Sequence, residues 1–568
     1  MAVANFFERT LMSASQAIRG IEPAVAEARL ADSIIEVVYD ESARESGEGR
    51  HALDMAIRLL ARLYPAIRVI GDADGDTFRQ GLEDLATSIN PSIDLRPRRK
   101  ATARLVFGSQ DPGKGPPSIF VGSDGWIAKV GASPEGFGSS NLPFGAGAAA
   151  CLGCANLFRL TFANELNATI DADARLSLFD FSTGLGSVNG PKLFKAALDD
   201  IPLVGVGAIG NGVVWALSRS ANLVGALHLV DPEAIELSNL QRYVLPGQRE
   251  VDRQKTIVGK EAFGKGKLEV KAFPVSFARY VADQGHRPIA RVVVALDSAA
   301  DRIGVQSALP RRAHNAWTQP GDLGVSRHDF LGPEACLACL YMPQGGRPNH
   351  DQLIAAALAW PTDPDSLRVL REMLANGQPV GELFVRQVAA NLGILPDSLL
   401  VFADQPLESF YVKAVCGGLT LEAVGNRPPI EAPLAFQSAL AGIMLAADLI
   451  VEVAGLRAPL PTKTVVDVLR PVGSRLNVRV LKPPADAPAP CICTDADFIK
   501  AYCDKHGMDV PAPLRVADRG PVQDCVPSRS ATTGTTRHGI AGARGTSQTA
   551  GSTSADSGSP STSGDRPR

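Results

Sequence analysis

A glycine-rich turn directly follows an apolar run near the middle of the chain, where residues 203–210 read Leu-Val-Gly-Val-Gly-Ala-Ile-Gly. The apolar run predicts a buried strand, and Gly205, Gly207 and Gly210 allow the backbone to approach a phosphate group closely. The helix predicted after the turn offers free N–H groups to an anion. The feature therefore predicts an α/β unit with a nucleotide site.

Two further groups of polar residues follow this turn at informative positions. Asp231 ends a second apolar run, 227–230, where a carboxylate can accept hydrogen bonds from both ribose hydroxyls. NAD and ATP fit equally well up to this point. A triphosphate with magnesium needs a cationic clamp that a dinucleotide does not need, and Arg242 and Lys255 supply one. These cations favour ATP.

The segment from Val230 to Arg242, followed by Lys255, resembles the adenylating domain of the ThiF/MoeB and ubiquitin-activating family. The resemblance continues at residues 292–302, which look like the family's strand, magnesium-binding aspartate and following helix, with Asp297 as the aspartate. Taken singly, an Asp after a strand is often a helix N-cap, and a lone Arg or Lys is usually solvated. Their joint order and spacing favour a functional set.

The resemblance implies a fold class and a division of the chain. We expect an α/β, Rossmann-like adenylation fold with two pseudo-homologous halves: an inactive adenylation-like half at 1–190 and an active half at 191–518. A helical crossover insertion at 343–407 is expected inside the active half. An unrelated accessory α/β domain is the alternative for 1–190. Residues 519–568 are rich in Ser, Thr, Gly and Arg, which predicts a disordered tail.

Short apolar runs in the first 190 residues predict strands that no glycine fingerprint follows. These runs lie at 34–39, 66–70, 104–107 and 118–121, and a helix is predicted from about residue 140 to 164. After the helical insertion, residues 408–412 predict the next strand.

Composition excludes several classes of protein. The chain has 568 residues, is 45% hydrophobic and carries a formal net charge of -3, so it can bury a large core and has no basic footprint for nucleic acid or an anionic membrane. Its start lacks the pattern of a signal peptide. The apolar stretch nearest to a membrane span, 432–454, is interrupted by Gln437, Asp448 and Glu452. We therefore expect a cytoplasmic protein with neither nucleic acid nor membrane as partner.

Nine cysteines, an odd number spread unevenly, argue against a disulfide framework. Cys336 and Cys339 have the spacing at which two thiolates bind one zinc ion. Relatives in the family often join two distant cysteine pairs around zinc, which implies Cys491 and Cys493 as the second pair. That pair has CxC rather than CxxC spacing, so Cys503 is an alternative ligand, and reduced thiols in a loop are the structural alternative.

Three other cysteines differ in setting. Cys151 and Cys154 lie in a run rich in Ala and Gly and are interpreted as core residues. Cys416 precedes two glycines that leave room for another chain's backbone, and the family places a thioester-forming cysteine in this region. A buried structural cysteine is the alternative, since the neighbouring residues supply no obvious base.

The resemblance implies an ATP-dependent activating enzyme acting on a ubiquitin-like protein. ATP would lie over residues 205–210, with Asp297 holding Mg²⁺, and Asn239 and Gln241 would orient ribose or phosphate. The partner's carboxyl terminus would attack the α-phosphorus without any side-chain nucleophile, because positioning and charge neutralisation supply most of the acceleration. The adenylate would pass to Cys416 and then to a conjugating enzyme, while Arg9 and Arg19 are candidates for an additional arginine.

Other functions fit the same residues. Bacterial relatives of this kind occur with ubiquitin-like operons, some linked to antiviral defence. A sulfur-carrier adenylyltransferase uses the same adenylation, although the long first half and the insertion argue against it. A catalytically silent Rossmann scaffold is the alternative from another class, and a homodimer is left open.

Overall fold

The computed structural model describes most of residues 4–511. The residues within that span that it leaves undescribed are 7–9, 11–13, 15–17, 19–20, 22, 72–76, 167, 320–321, 343–353, 356–357, 359, 393–395, 401, 412–432, 473–474 and 485–490. The tail predicted to be disordered, 519–568, lies outside the described residues.

The first half of the described chain is an α/β unit built on one mixed sheet. Its six described strands have the order β2-β1-β3-β4-β5-β6. Strands β2, β1, β3 and β4 pair in parallel, and β5 and β6 are antiparallel additions. The elements are α1 (Pro23–Asp32), β1 (Ile34–Tyr39), α2 (Glu41–Glu45), α3 (Gly47–Leu63), β2 (Ala66–Ile70), α4 (Thr77–Ile89), β3 (Ala103–Phe107), β4 (Ser118–Asp124), β5 (Ile127–Gly131), α5 (Pro143–Thr161), α6 (Ala163–Leu166) and β6 (Asp173–Ser177).

The second half is built on a larger sheet. Its eight described strands have the order β14-β13-β12-β11-β10-β7-β8-β9, with parallel pairing from β9 to β11 and antiparallel pairing beyond. The elements are β7 (Ala196–Val204), α7 (Ala208–Ser218), β8 (Leu223–Val230), α8 (Lys255–Glu261), β9 (Leu268–Phe273), α9 (Phe277–Asp283), β10 (Arg291–Val294), α10 (Ala299–Ser307), β11 (Arg312–Thr318), β12 (Leu323–Asp329), α11 (Leu337–Tyr341), α12 (Pro364–Ala375), α13 (Glu382–Leu392), α14 (Pro396–Leu400), α15 (Leu407–Phe410), α16 (Ala435–Val453), β13 (Lys463–Val466), β14 (Arg475–Val478) and α17 (Ala496–His506).

The two sheets share a common topology. In each half the first strand lies between the second strand and a later parallel strand, so β1 with β2 and β3 corresponds to β7 with β8 and β10. In each half a 19-residue apolar helix connects two antiparallel strands: α5 follows β5, and α16 joins β12 to β13. The expected α/β, Rossmann-like fold is confirmed, and so are the four strands predicted in the first half. That the two halves are pseudo-homologous stays a prediction.

One hydrophobic core runs through both halves. Buried residues of α3, α5, α7 and α16 belong to a single apolar cluster. Helices α7 and α16 approach closely because Gly212 and Gly442 face each other: a Cβ on Gly442 would lie 2.3 Å from the Ile209 carbonyl oxygen and 2.7 Å from the Gly212 Cα. A Cβ on Gly147 of α5 would lie 2.5 Å from the Trp215 ring. Close helix packing thus joins the halves.

The segment predicted as a helical insertion contains α12, α13 and α14 and has a small apolar cluster of its own. The strand predicted at 408–412 is wrong, because Leu407–Phe410 forms the short helix α15. Leu407 and Phe410 are both fully buried in the insertion's cluster. Their spacing of three residues puts both on one face of a helix, whereas a strand would turn them to opposite faces.

Helix α16 is the one described helix that is long and apolar enough to cross a membrane, and 89% of its apolar window is buried inside the protein. It packs on α7, α5 and β11. Its Asp448 is fully buried and ion-paired with Arg327 at 2.7 Å. The helix is therefore part of the core of this fold.

Candidate functional site

The candidate site lies where the order of the second sheet reverses around β7. The chain moves outward from β7 through β8 to β9 and then returns to place β10 on the other side of β7. Crevices outside the carboxyl ends of parallel strands at such a reversal are the usual ligand sites of open α/β sheets. The loops after β7, β8 and β10 carry the predicted glycines, Asp231 and Asp297.

The glycine-rich loop needs its glycines for physical reasons. Gly205 has a φ of 91°, and a Cβ there would lie 2.6 Å from the Ala295 carbonyl oxygen. A Cβ on Gly210 would lie 2.2 Å from the Gly205 carbonyl oxygen. Gly207 is the N-cap of α7 and provides no side-chain cap, so the first N–H groups of the helix point to the crevice without a side-chain partner from the cap. This is the local geometry that suits a phosphate group.

Asp231 lies directly after β8 and is 6% exposed. Its carboxylate accepts hydrogen bonds from the Val206 N–H at 2.7 Å and the Glu233 N–H at 2.9 Å. Burial raises the pKa of Asp231, while the nearby Lys255 ammonium acts in the opposite direction. The carboxylate is thus attached to the glycine-rich loop, at the edge where a ribose would follow the phosphates.

Lys255 is the first residue of α8 and is 5% exposed. Its ammonium group forms an ion pair with Glu233 and lies 5.2 Å from the centre of the Tyr243 ring. Burial alone would lower the pKa of Lys255, but Tyr243, Asp231 and Glu233 outweigh it and raise the pKa, so the side chain is a buried cation. The Arg242 guanidinium lies 5.8 Å from the same ring. The structure therefore brings both predicted cations to Tyr243.

Tyr243 also connects these cations to the glycines. Its hydroxyl is 3.5 Å from the position that a Cβ on Gly207 would take. Glycine loop, aspartate and cations thus form one contiguous group beside the α7 N-terminus.

Asn239 and Gln241 lie in a short 3-10 turn, 237–241, before Arg242. The Asn239 side-chain oxygen accepts the Glu236 N–H at 3.0 Å and so closes this turn. Gln241 is 2% exposed and its amide nitrogen donates to the Pro433 carbonyl oxygen at 3.4 Å, just before α16. Both side chains therefore have a structural use in addition to the orienting role predicted for them.

Asp297 lies on the exposed loop between β10 and α10. The loop is fixed to β7 because the Ala295 N–H donates to the Val204 carbonyl oxygen at 2.9 Å. The buried Arg302 guanidinium donates to the carbonyl oxygens of Leu296 and, at 3.2 Å, of Asp297. An exposed carboxylate on a fixed loop is an oxygen ligand of the kind that Mg²⁺ prefers.

The structure brings together four cysteines, Cys336, Cys339, Cys491 and Cys493, whose sulfur atoms all lie within 4.8 Å of one another. The Sγ distances from Cys336 are 3.7 Å to Cys339 and 3.6 Å to Cys491, and Cys339 to Cys493 is 3.4 Å. Tetrahedral zinc thiolates have sulfurs about 3.8 Å apart. This set of donors fits a structural zinc ion. Cys503 is not part of the cluster, since its thiol faces the Asp509 carbonyl oxygen at 3.7 Å.

The remaining cysteine and arginine predictions divide into two groups. Cys151 and Cys154 are buried in α5, and burial raises the pKa of both, which confirms their interpretation as core residues. Cys416, Arg9 and Arg19 lie outside the described residues.

Sequence reasoning missed three residues that hold the site together. Asn211 follows the last glycine, and its side-chain amide donates to the Val206 and Gly207 carbonyl oxygens at 2.9 Å each. Tyr243 and Arg302 complete the set. Asn211 and Tyr243 directly follow predicted residues in sequence, which is a usable signal. The role of Arg302 depends on contacts that only the folded chain reveals.

The corresponding crevice of the first half is occupied by a side chain of that half. Asp40 directly follows β1, and its carboxylate accepts the N–H groups of Ala43, Ser109 and Gln110 at 3.0, 2.8 and 3.0 Å and the Ser42 hydroxyl at 2.6 Å. Burial alone would raise the pKa of Asp40, but these hydrogen bonds outweigh it and lower the pKa. The N–H groups that could bind an anion there already have a partner.

Comparison with known proteins assigns both halves to sequence families. The sequence model of the ThiF family matches residues 191–469, and that of Prokaryotic E2 family C matches residues 38–163. The uncharacterized protein y4jF of Sinorhizobium fredii (strain NBRC 101917 / NGR234) is 44% identical over 516 residues, which are 90% of this chain and 98% of y4jF.

Parts of the chain are also similar to solved structures. Selenomethionine PaaA matches 50% of this chain with 12% identity and a TM-score of 0.30. MccB of E. coli with MccA-N7isoAsn matches 51% with 16% identity and a TM-score of 0.32. The match spans slightly less than two thirds of each of these proteins, 65% and 66%. On the sequence match over residues 191–469, the second half of the chain is a domain of the ThiF family.

Proposed function

We propose that this protein adenylates the carboxyl terminus of a ubiquitin-like protein with ATP and Mg²⁺. One observation carries the proposal. The glycine-rich loop, Asp231 and Lys255 lie together where the strand order of the second sheet reverses, and Asp297 lies on the adjoining loop. The ThiF-family domain of the second half supports the same class of reaction. The identity of the partner as ubiquitin-like follows from the resemblance and remains part of the proposal.

Each part of the site has a chemical task in this reaction. The free N–H groups at the start of α7 and the buried cation of Lys255 neutralise phosphate oxygens. Asp231 accepts the ribose hydroxyls, and Arg242 adds a second cation. Asp297 holds the Mg²⁺, which supplies charge neutralisation to the phosphates when bound.

The step itself needs no catalytic nucleophile of the protein. A carboxylate oxygen of the partner forms a bond to the α-phosphorus, and the bond from that phosphorus to the bridging oxygen of pyrophosphate breaks. Pyrophosphate leaves with the electron pair, and the product is an acyl-adenylate. Positioning and charge neutralisation account for most of the acceleration of such transfers.

We extend the proposal to a thioester on Cys416 and transfer to a conjugating enzyme. The resemblance supports this, because the family places a thioester-forming cysteine in the region of Cys416. A role in antiviral defence stays a prediction of the resemblance, and a cytoplasmic setting stays a prediction of the sequence pattern.

We also propose that residues 1–190 are an adenylation-like half without a nucleotide site of its own. The shared topology supports this, and so does Asp40 in the equivalent crevice. The match to Prokaryotic E2 family C over residues 38–163 favours instead the alternative of an accessory α/β domain, because that family differs from the ThiF family of the second half. The sequence of the first half has two cysteines, Cys151 and Cys154, and both are buried. We therefore expect the thiol that accepts the activated partner to lie in the second half.

ATP–pyrophosphate exchange with small proteins ending in glycine tests the proposal. We expect Asp297→Ala and Lys255→Ala to abolish exchange and Cys416→Ala to keep it, while a reducible protein adduct requires Cys416. Asp301→Ala is the matched control, since this exposed carboxylate lies one helical turn further along. Exchange that survives Asp297→Ala would overturn the magnesium assignment. Absence of exchange with every partner would favour the silent scaffold.

A further inference from the structure

Two arginines of the first half hold the backbone of a loop in the second half. Arg58 Nη1 donates to the Val244 carbonyl oxygen at 2.9 Å and to the Leu245 carbonyl oxygen at 3.1 Å. Arg62, one turn later on α3 and 1% exposed, donates to the Pro246 carbonyl oxygen at 2.6 Å. We call residues 243–247 the bridging loop. It begins with Tyr243, the residue that contacts both Lys255 and the Gly207 region.

The same peptide of the bridging loop is hydrogen-bonded to the glycine-rich loop. The Leu245 N–H donates to the Asn211 side-chain oxygen at 3.2 Å. The Asn211 amide nitrogen donates to the carbonyl oxygens of Val206 and Gly207 at 2.9 Å each. Asn211 is 4% exposed, so these bonds are shielded from water. A continuous path of hydrogen bonds thus runs from Arg58 through Leu245 and Asn211 to the candidate phosphate-binding backbone.

Arg58 is itself held in a fixed geometry. Its Nε donates to both oxygens of Asp54, at 3.1 and 3.0 Å. Asp54 accepts two further bonds from the second half, from Trp215 Nε1 at 2.7 Å and Arg219 Nη2 at 2.9 Å. Hydrogen bonds that involve charged groups are stronger and more directional than neutral ones. The arrangement locates the Arg58 guanidinium relative to α7, the helix that begins at the glycine-rich loop.

We propose that Arg58 and Asn211 are positioning residues for the glycine-rich loop, so that the first half sets the nucleotide affinity of the second without contacting the nucleotide. The inference rests on the proposed function in one respect, that the glycine-rich loop binds ATP. The structural part of the inference does not depend on ATP binding. It states that loss of Arg58 loosens the glycine-rich loop, whose backbone Arg58 does not contact.

Amide hydrogen–deuterium exchange of the protein without nucleotide tests the structural content. In Arg58→Met, which keeps the aliphatic part of the side chain, we expect peptides covering 203–211 to exchange at least about threefold faster, as do those covering 243–247. Arg50→Met is the matched control, because Arg50 is on the same helix and its Nε bonds within the first half, to the Arg44 carbonyl oxygen. Faster exchange at 243–247 with unchanged exchange at 203–211 would overturn the inference.

ATP affinity measured by titration calorimetry tests the functional content. We expect Arg58→Met and Asn211→Ala each to weaken ATP binding about three- to tenfold, the size of one lost hydrogen bond. Because both act on one path, the double variant should lose less than the product of the single losses. Fully multiplicative losses, or unchanged affinity in Arg58→Met, would contradict the positioning role.

The two measurements separate the inference from the proposed function. If the wild-type protein binds no ATP but the glycine-rich loop exchanges faster in Arg58→Met, the hydrogen-bond path is supported and the nucleotide site is rejected. If Arg58→Met does not fold by circular dichroism, Arg58→Lys replaces it. Lysine retains a cation but lacks the planar fork, and we expect a smaller change of the same sign in both measurements.

Discussion

Asp54 shows how much a single carboxylate contributes to the contact between the halves. It lies on α3 and accepts hydrogen bonds from Arg58 on the same helix and from Trp215 and Arg219 in the second half. Burial alone would raise its pKa, but the charges of Arg58 and Arg219 and the hydrogen bonds outweigh it and lower the pKa of Asp54 to about 2. Ionised Asp54 therefore favours the folded state.

The sign of the pH dependence follows from this lowered pKa. The stabilisation is fully present above the unfolded pKa near 3.8 and is lost as the pH falls toward 2. We expect Asp54→Asn to lower the free energy of unfolding by about 2 kcal/mol at pH 7 and to differ less from wild type at each step from pH 5 to pH 3. Urea denaturation across this range measures the difference. Asp84→Asn is the control, because Asp84 is an exposed carboxylate on α4. If the free energies of unfolding of wild type and Asp54→Asn differ by the same amount at every pH, Asp54 does not have the lowered pKa.

For single residues, the sequence predicts those that lie at a recognisable local pattern, such as a strand end or a tight turn. Gly205, Gly210 and Asp231 are found because a strand end, a tight turn and a second strand end locate them. Arg58 and Asn211 were not predicted, since their contacts with the backbone of the bridging loop have no sequence signature. Asn239 is an intermediate case: the sequence suggested a ligand contact, and the structure shows its oxygen closing a turn.

Among the helices, the pair α7 and α16 has little room for added volume. The Gly442 position has backbone atoms of α7 within 2.3 to 2.8 Å of any added Cβ. We expect Gly442→Ala to destabilise the protein by about 2–3 kcal/mol, because backbone cannot move aside as a flexible side chain can. Gly304→Ala on α10 should instead stabilise by about 0.5–1 kcal/mol, since a Cβ there meets nothing within 4 Å. Thermal unfolding of both variants checks the opposite signs.

The four-cysteine cluster joins two elements that are distant in sequence. Cys336 and Cys339 are at α11, while Cys491 and Cys493 precede α17, whose Tyr502 stacks on Phe330 with ring centres 4.6 Å apart. A zinc ion would therefore hold the end of the described chain on the second sheet.

We expect purified protein to contain about one zinc ion per chain by atomic emission, and Cys491→Ser to contain less and to unfold at a lower temperature. Cys503→Ser is the matched control, because Cys503 is buried nearby without belonging to the cluster. Equal zinc content in wild type and Cys491→Ser would reject the ligand set.

The success of sequence reasoning also varied among elements. Strands such as Ile34–Tyr39 and Ala66–Ile70 were predicted correctly because their apolar runs are buried on both faces of a parallel sheet. The short helix at Leu407–Phe410 was predicted as part of a strand at 408–412, since three apolar and aromatic residues in a run of five do not distinguish the two states. Burial against the insertion's own cluster selects the helix.

As a whole, the described part of the molecule has two sheets with a similar arrangement around their first strands, and the described residues that suit a nucleotide lie in one of the two crevices. In the second half the crevice after β7 has glycines, an uncapped helix start and a buried lysine. In the first half the crevice after β1 contains the Asp40 carboxylate, which occupies the backbone N–H groups of Ser109 and Gln110. A negative carboxylate in this position also repels phosphate.

This asymmetry predicts the nucleotide stoichiometry. We expect titration calorimetry with ATP and Mg²⁺ to give about one site per chain, and Lys255→Ala to remove that site without exposing another, because Asp40 occupies the backbone N–H groups in the described crevice of the first half. Lys260→Ala, on the exposed side of the same helix, should keep the wild-type stoichiometry. Two sites in the wild type, or one site remaining in Lys255→Ala, would mean that the first half binds nucleotide in spite of Asp40. Asp40→Ala then separates the two explanations: a site in the first half would gain affinity when the carboxylate is removed, whereas a single site in the second half would not change.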